Sequence, residues 1–382
     1  MAPSASYSPK GEIVTKLLRW LLLFAFVAVS AFIPLEAVLT SGMAWLVRLT
    51  CVAAGIVWAA DGVVHLRHWF AHKEAGTALA LVRIAIGFSV IWTVGGVIWA
   101  DLVDVLWVTK NDGGYRHLTG SFWLVQLLGG PSSSVMWGLS WMSLAGGACM
   151  MMGLGGRLTV FATLQAFMAV SDVNSHAGGS YDELLSNALW ILVLAPSTAT
   201  LSLDCRIRRG RWHSSLPVAA WPRYLLIYQI VVVYWTTGLQ KVSVYWVPGG
   251  DFMALYYIMQ QPSWHRFDMT WLAWVVPLTQ FSTAITWFWE VLSPVWLLAL
   301  WYRYTSDRPG KIRALFNRFD VRTLFTIVGL VFHILLTVFM DVGPFSMISV
   351  CFYLAFWHPD EWAKGWQRVR AFLHERIHST QR

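Results

Sequence analysis

The chain has 382 residues, of which 57% are hydrophobic and 13% are charged, and its formal net charge is +8. About a quarter of the residues of a soluble domain are charged, so this composition excludes an ordinary soluble protein and predicts a polytopic helical membrane protein. The four cysteines are scattered and form no CxxC pair, which predicts neither a disulfide framework nor a zinc knuckle.

The apolar runs, taken in order, are each long enough to be read as membrane spans or parts of spans. Residues 1–12 are small and polar and are predicted to be disordered. Two runs, 15–39 and 43–64, lead into a basic, histidine-containing loop, so residues 13–75 are predicted to form two N-terminal transmembrane helices. The next runs are 78–108, 134–152, 157–173, 184–201, 222–246 and 271–302, and Pro277 and Pro294 predict kinks in the last of these.

The last apolar region, 324–357, is too long for one span and is broken at Asp341-Val-Gly-Pro344. Residues 359–382 are predicted to form a basic amphipathic tail. We therefore predict an all-α fold with about ten transmembrane helices, about eight of which belong to a core at residues 76–358.

The distribution of basic residues predicts the orientation of the chain. Ten spans place both termini on one side of the membrane, and most Lys and Arg residues fall in the loops of that side. The opposite loops contain only Lys110, Arg116 and Arg266. Because cytoplasmic loops are enriched in Lys and Arg, both termini are predicted to be cytoplasmic, and the net charge needs no nucleic-acid partner.

This topology brings several polar residues to the outer half of the membrane, where ionisable residues are candidates for function. They are Asn174, His176, Asp182, Glu183, Lys241, Glu290, His333 and Asp341. Each also has a structural interpretation. Lys241 fits an interfacial lysine with Glu290 as an ion-pair partner, and His333 fits a satisfied core histidine. The loop residues fit surface polar groups or, at Asp182, an acid that complements a helix N-terminus.

A second polar group precedes the core. Asp61, His65, His68 and His72 are spaced four, three and four residues apart, which places them on one face of a helix. Such a face could hold a metal through nitrogen and oxygen ligands, or it could be a polar face at the membrane interface. The chain has no Walker loop, GxSxG, HExxH or dinucleotide fingerprint, so a hydrolase or nucleotide enzyme of familiar type is not indicated.

Four stretches resemble the HTTM (horizontally transferred transmembrane) domain family, which includes the membrane half of vitamin K-dependent gamma-carboxylases. They are ALALVRIAIG with the downstream DGGYR, NSHAGGSYDELL with PSTATLSLD, TTGLQKVSVYWVPGG, and FHILLTVFMDVGPFSMISVCFYLAF. They occur in the order of the family and span about three quarters of the chain. The core at 76–358 is therefore expected to be HTTM-like.

The resemblance implies functional residues. Lys241 falls on the carboxylases' catalytic lysine, and His333 and His176 fall at histidine positions, so these residues and Glu290 are the predicted catalytic group. In the carboxylases the lysine deprotonates reduced vitamin K, whose reaction with oxygen yields the strong base that removes a glutamate γ-proton. A reduced naphthoquinone (vitamin K-type quinol) is thus the implied cofactor. Its predicted contacts are Tyr234, Trp235, Trp246, Asn174 and Asp182.

Three functional hypotheses follow. The first is a carboxylase-like membrane enzyme with Lys241 as base. Because the four stretches do not include the carboxylases' large lumenal domain, its expected partner is a separate extracytoplasmic protein that holds the substrate, or a secreted peptide. The second is a non-enzymatic factor for maturation or export of a secreted peptide. The third is a metal-dependent enzyme that uses the histidine face. All three place the chain in a lipid bilayer, which we expect to be a bacterial cytoplasmic membrane.

Overall fold

The computed structural model describes residues 71–114 and 122–379, with side chains up to residue 372. The chain divides into two units. One consists of Met1–Lys73 and Ala219–Trp221, and most of it lies outside the described residues. The other consists of Glu74–Val218 and Pro222–Arg382 and contains the residues that carry the HTTM resemblance. The predicted N-terminal helices, with Asp61, His65 and His68, lie outside the described residues; His72 is described.

The elements of the first half are mostly helices. They are β1 (Lys73–Ala75), α1 (Thr77–Trp99), α2 (Val103–Trp107), a 3-10 turn (Lys110–Asp112), α3 (Trp123–Leu127), α4 (Ser133–Met152), α5 (Gly156–Ser171), α6 (Ser180–Leu194), α7 (Leu203–Arg209) and β2 (Pro217–Ala219). The two three-residue strands form a two-stranded sheet. Strands contribute nothing else among the described residues, which agrees with the predicted all-α class.

The second half is helical throughout. Its elements are α8 (Trp221–Gln240), α9 (Ala254–Met259), a 3-10 helix (Thr270–Trp274), α10 (Val276–Val291), α11 (Pro294–Tyr304), α12 (Lys311–Arg318), α13 (Val321–Phe339), α14 (Phe345–Tyr353), a 3-10 turn (Leu354–Phe356) and α15 (Pro359–Ser379). Helix α10 packs against α13, and α14 packs against both α1 and α6.

Helix α1 is central because it packs against α4, α6 and α14. Its buried stripe is Ala78, Val82, Ile86, Val90 and Val94, each at most 1% exposed and four residues from the next. That spacing keeps one face of a helix turned toward its neighbours. At the crossing with α4, Gly87 and Gly147 face each other, and a Cβ on either would lie 2.8 Å from the other's carbonyl oxygen. Close backbone approach through small residues is typical of membrane helices.

Three described helices, α1, α4 and α13, are long and apolar enough to cross a membrane, and the bent pair α10–α11 forms a fourth candidate span. Helix α13 exposes a row of large apolar side chains, as expected of a surface in contact with lipid. They are Leu324, Ile327, Val331, Ile334, Leu335 and Val338. The chain is thus an integral membrane protein with several spanning helices, while the count of ten stays a prediction.

Two predicted breaks are present in the structure. Helices α10 and α11 meet at an angle of 55° just before Pro294. The last apolar region separates into α13 and α14 around Asp341-Val-Gly-Pro344. Proline supplies no N–H for the preceding turn and restricts the residue before it, so both breaks follow from local sequence.

Three helices end earlier than predicted. Helix α1 ends at Trp99 rather than at residue 108, because Asp101 has φ of 56°, a left-handed conformation that an α-helix cannot continue. Helix α6 ends at Leu194, where Ala195 is extended ahead of Pro196. Helix α8 ends at Gln240, and Lys241 begins a series of turns that leads to Pro248. Lys241 therefore follows its helix instead of lying inside it.

An ion pair between the buried Arg322 and the partly exposed Glu361 connects α13 to the start of α15. Arg322 donates to both carboxylate oxygens of Glu361, at 2.6 and 2.9 Å, and the backbone N–H of His358 donates to the same carboxylate at 2.8 Å. Burial opposes ionisation of Glu361, but these hydrogen bonds outweigh it and lower the pKa of the carboxyl from 4.5 to about 2. The ionised form thus stabilises the folded chain.

We expect the Glu361 contribution to be complete above pH 4.5 and to be lost as the pH falls toward about 2, because a carboxyl with a depressed native pKa takes up its proton on unfolding. Glu361→Gln should cost about 1.5–3 kcal/mol at neutral pH, the usual worth of hydrogen bonds to a charged group. Thermal unfolding in detergent micelles between pH 7 and pH 2.5 measures this. The difference between the two proteins should shrink at low pH; a constant difference would contradict the assignment.

Candidate functional site

Lys241 and Glu290 form a largely buried ion pair. Nζ of Lys241 donates to Oε2 of Glu290, and the two side chains are 18% and 3% exposed. The ammonium group also lies over the ring of Trp246, 4.6 Å from its centroid. Lys241 is therefore directed into the protein, and the ion pair with Glu290 that the sequence suggested is present.

The close approach of α8 and α10 brings this pair together. A Cβ at Gly238, in the last turn of α8, would lie 2.8 Å from Cβ of Glu290 and 2.9 Å from the backbone nitrogen of Val291. Only a glycine permits this distance between the helices. The backbone N–H of Lys241 then donates to the carbonyl of Gly238 at 3.2 Å, so the chain turns directly beside Glu290.

A second polar group, which includes Tyr234 of α8, lies inside the protein. The hydroxyl of Tyr234 is 2.7 Å from Nε2 of His333 and 2.9 Å from the hydroxyl of Tyr353. All three side chains are at most 2% exposed. Nδ1 of His333 is buried and has no hydrogen-bond partner among the described residues. Because buried polar atoms usually have partners, this atom marks a place where a further group could bind.

Trp289 joins the two groups. It precedes Glu290 on α10, its ring centroid is 4.5 Å from that of Tyr234, and its indole N–H donates to the carbonyl of Phe325. Trp289 and Tyr353 were not among the site residues predicted from the sequence. A phenol inside an apolar span is a usable signal for Tyr353, because a buried hydroxyl requires a partner. Trp289 carries no comparable signal, since tryptophans are abundant in this chain.

Two cavities adjoin these groups. One, of about 300 Å³, opens beside the Trp246 that covers Lys241; its lining is Ser243, Tyr245, Trp246, Ala254, Tyr257 and Ile258. The other is an almost wholly apolar groove of about 480 Å³ between α1, α13 and α14, and His333 lines it together with Ile334, Val350 and Leu354. Space of this kind, with few polar groups, is typical of sites for apolar ligands.

The remaining predicted site residues lie in a separate place. Asn174 is buried and donates to the carbonyl of Leu106 at 2.7 Å, while its side-chain oxygen accepts the backbone N–H of His176, which is itself exposed. Asp182, ahead of the apolar part of α6, accepts the N–H of Gly179 at 2.9 Å. Burial raises the pKa of the Asp182 carboxyl to about 6, against the effect of that hydrogen bond.

The loop around Asp182 borders a cavity of about 620 Å³, which is also lined by Trp107, Tyr181, Arg266 and Asp341. Within the described parts of the chain, no hydrogen bond, ion pair or ring contact joins His176 or Asp182 to the Lys241–Glu290 pair. Trp235 also points away from Tyr234 and is 41% exposed. The structure thus brings together Lys241, Glu290 and Trp246 with the group of Tyr234 and His333, and places Asn174, His176 and Asp182 elsewhere.

The HTTM domain family model matches residues 72–362, which is about three quarters of the chain. This range includes the Lys241–Glu290 pair, the Tyr234 and His333 group and the Asn174–Asp182 loop. No curated protein and no solved structure matches the chain.

Proposed function

The chain belongs to the HTTM domain family, and from this membership and the geometry around Lys241 we propose that it is a membrane enzyme in which Lys241 acts as a base toward a quinol-type lipid. The main support for this proposal is that Lys241 is largely buried, with its ammonium group against Glu290 and under the ring of Trp246. A lysine that only anchors a helix at the interface would extend its ammonium group into water.

The residues around Lys241 fit a reduced naphthoquinone. Trp246, Tyr245 and Tyr257 provide flat apolar faces along the cavity of about 300 Å³, and Tyr245 and Tyr257 pack edge to face at 5.1 Å. Aromatic faces of this kind pack well against a fused ring system. When bound, such a quinol supplies an ionisable hydroxyl and an oxidisable ring.

Glu290 has a defined role in this proposal. A lysine is a base only without its proton, and the carboxylate in contact with Nζ is the group that can receive it. Transfer of the proton to Glu290 leaves a neutral amine and a neutral acid, which a poorly hydrated interior accommodates better than separated charges. The ring of Trp246 lies over Nζ and covers the amine.

The non-enzymatic maturation or export factor is the alternative proposal, and the same ion pair supports it. A Lys–Glu pair between the end of α8 and the last turn of α10 could simply hold the helices together. The two proposals differ in one respect. The enzyme requires a ligand beside Lys241, whereas a structural pair does not.

To test the enzymatic proposal, we would add an isoprenoid naphthoquinol to the purified protein under reducing, oxygen-free conditions and measure thermal unfolding. We expect the wild type to be stabilised by about 2.7 kcal/mol at a ligand concentration 100 times the Kd. Lys241→Met should abolish this stabilisation. Lys110→Met, which removes an exposed lysine from the turn at Lys110–Asp112, is the matched control and should retain it.

The role of Glu290 is measured separately, from the ultraviolet absorption of the bound quinol. The wild type should convert the quinol to its anion at neutral pH, whereas Glu290→Gln should bind the quinol without ionising it. If the wild type and Lys241→Met respond equally to the quinol, the enzymatic proposal fails and the structural role of the pair is supported.

A further inference from the structure

A fourth cavity, separate from the three described above, lies where α4 turns into α5. Its volume is about 410 Å³. The lining residues that matter here are Gly156, Arg157, Thr198, Asp204 and Arg208; we refer to this cavity as the basic pocket. It contains none of the residues assigned above to the quinol or to the Asp182 loop.

The walls of the basic pocket favour an anion. Arg157 and Arg208 are exposed toward solvent, and neither has a hydrogen bond or ion pair to any described residue. A neighbouring lining residue, Arg209, donates to Ser214 at 2.6 Å. The pocket also receives the N-terminus of α5, a 16-residue helix whose first N–H groups have no partner within the helix. Such an N-terminus carries partial positive charge and binds phosphate groups.

Asp204 adds a second and independent requirement, namely that the ligand carry a hydrogen-bond donor. Its side chain is buried, with 7% of the residue exposed, and Oδ1 accepts the N–H of Gly155 at 3.0 Å. Oδ2 is also buried but has no hydrogen-bond partner among the described residues, and it faces Gly156, where a Cβ would lie 3.3 Å away. A carboxylate oxygen accepts hydrogen bonds, so the partner it lacks is an N–H or O–H donor, such as a hydroxyl or an ammonium group.

These two requirements together exclude an anion that has no hydrogen-bond donor. Sulfate would pair with Arg157, Arg208 and the helix N-terminus but has no donor for Asp204, which would repel it. A phosphate ester that also carries a hydroxyl or ammonium donor would pair with the two arginines, the helix N-terminus and Asp204. The phosphate would lie between the arginines, and the donor would reach Oδ2 of Asp204.

The depth of the pocket in the membrane points to the same chemistry. The candidate span α4 ends at Met152, and the pocket begins at Gly155, three residues later. At a rise of about 1.5 Å per residue or little more, the pocket lies at the level of the lipid head groups. Leu158, which also lines it, is 80% exposed and offers an apolar surface for the start of an acyl chain.

We propose that the basic pocket binds the head group of a phospholipid whose phosphate ester carries a hydrogen-bond donor, as in a phosphoglycerol or phosphoethanolamine group. The arginines and the helix N-terminus hold the phosphate, and Asp204 selects the donor. The pocket is a binding site for a structural or regulatory lipid and is independent of the chemistry at Lys241.

The test uses the full-length protein in detergent micelles, with lipid binding measured by native mass spectrometry. We expect phosphatidylglycerol or phosphatidylethanolamine to bind more tightly than phosphatidylcholine, whose head group has no donor for Asp204. The double variant Arg157→Gln/Arg208→Gln should lose about 10- to 30-fold in affinity, as expected for two basic residues near a membrane surface. The control Arg211→Gln removes an exposed arginine of the same segment that does not line the pocket, and it should bind as the wild type does.

Asp204→Asn tests the selection of the donor, because asparagine retains an oxygen that can accept the N–H of Gly155. This variant should bind phosphatidylcholine and phosphatidylglycerol with similar affinity. Glycerol 1-phosphate tests whether the ligand is soluble instead of a lipid. If it binds as tightly as phosphatidylglycerol, the pocket recognises the proposed head-group chemistry but its ligand is a soluble phosphate ester. Equal losses in Arg211→Gln and in the double variant, or no preference of the wild type among the lipids, would overturn the proposal.

Discussion

Replacing Arg223 by methionine is expected to lower the free energy of unfolding by about 3–5 kcal/mol, because it leaves a buried carboxylate without its partner. Arg223, at the start of α8, donates to both carboxylate oxygens of Glu74 at 2.6 and 2.8 Å, and a third N–H donates to the carbonyl of Ala355 at 2.9 Å. The two charged side chains are 5% and 3% exposed. One guanidinium thus joins three distant parts of the chain.

The double variant Glu74→Leu/Arg223→Met is the control for this prediction. It removes the unpaired charge and fills the space with apolar atoms, and such replacements are often nearly neutral. It should therefore recover most of the stability that the single variant loses. Unfolding in mixed detergent micelles, followed by circular dichroism, measures both. If the single and double variants lose the same amount, the carboxylate is not buried as the structure describes.

The second large loss of stability is expected from the substitution Gly238→Ala. The added Cβ would lie within 3 Å of Cβ of Glu290 and of the backbone nitrogen of Val291, and backbone atoms cannot move aside as the end of a flexible side chain can. Helices α8 and α10 must then separate. Overpacking of this kind costs about 1–3 kcal/mol, and here it should outweigh the better helix propensity of alanine. Separation of the helices should also weaken the contact between Lys241 and Glu290.

Gly95→Ala is the matched control, because Gly95 lies in a helix and its Cβ position has nothing within 4 Å. Alanine there should leave stability unchanged or raise it by up to about 1 kcal/mol through helix propensity. Thermal unfolding of the two variants in the same detergent should show shifts of opposite sign. Shifts of equal sign and size would mean that the close approach at Gly238 does not constrain the helices.

The candidate site was predictable in part. Lys241, Glu290 and His333 were identifiable because ionisable residues in apolar runs are uncommon and costly, and the motif around Lys241 resembles the family's catalytic segment. Their grouping was not predictable. Glu290 is 49 residues from Lys241 in sequence, and Tyr353 is 119 residues from Tyr234, so packing alone decides that they meet. Packing also placed His176 and Asp182 apart from the lysine, which the motif order did not reveal.

The sequence by itself determined the class of the protein, its family and the breaks before Pro294 and at Asp341-Val-Gly-Pro344. These depend on composition, on motif order and on the local geometry of proline, none of which requires a neighbouring helix. The tertiary structure decided where α1, α6 and α8 end, that Lys241 follows its helix, and which polar groups are paired. Those features depend on how closely two helices approach and on the rotation of each about its axis, and both are fixed only when distant segments pack together.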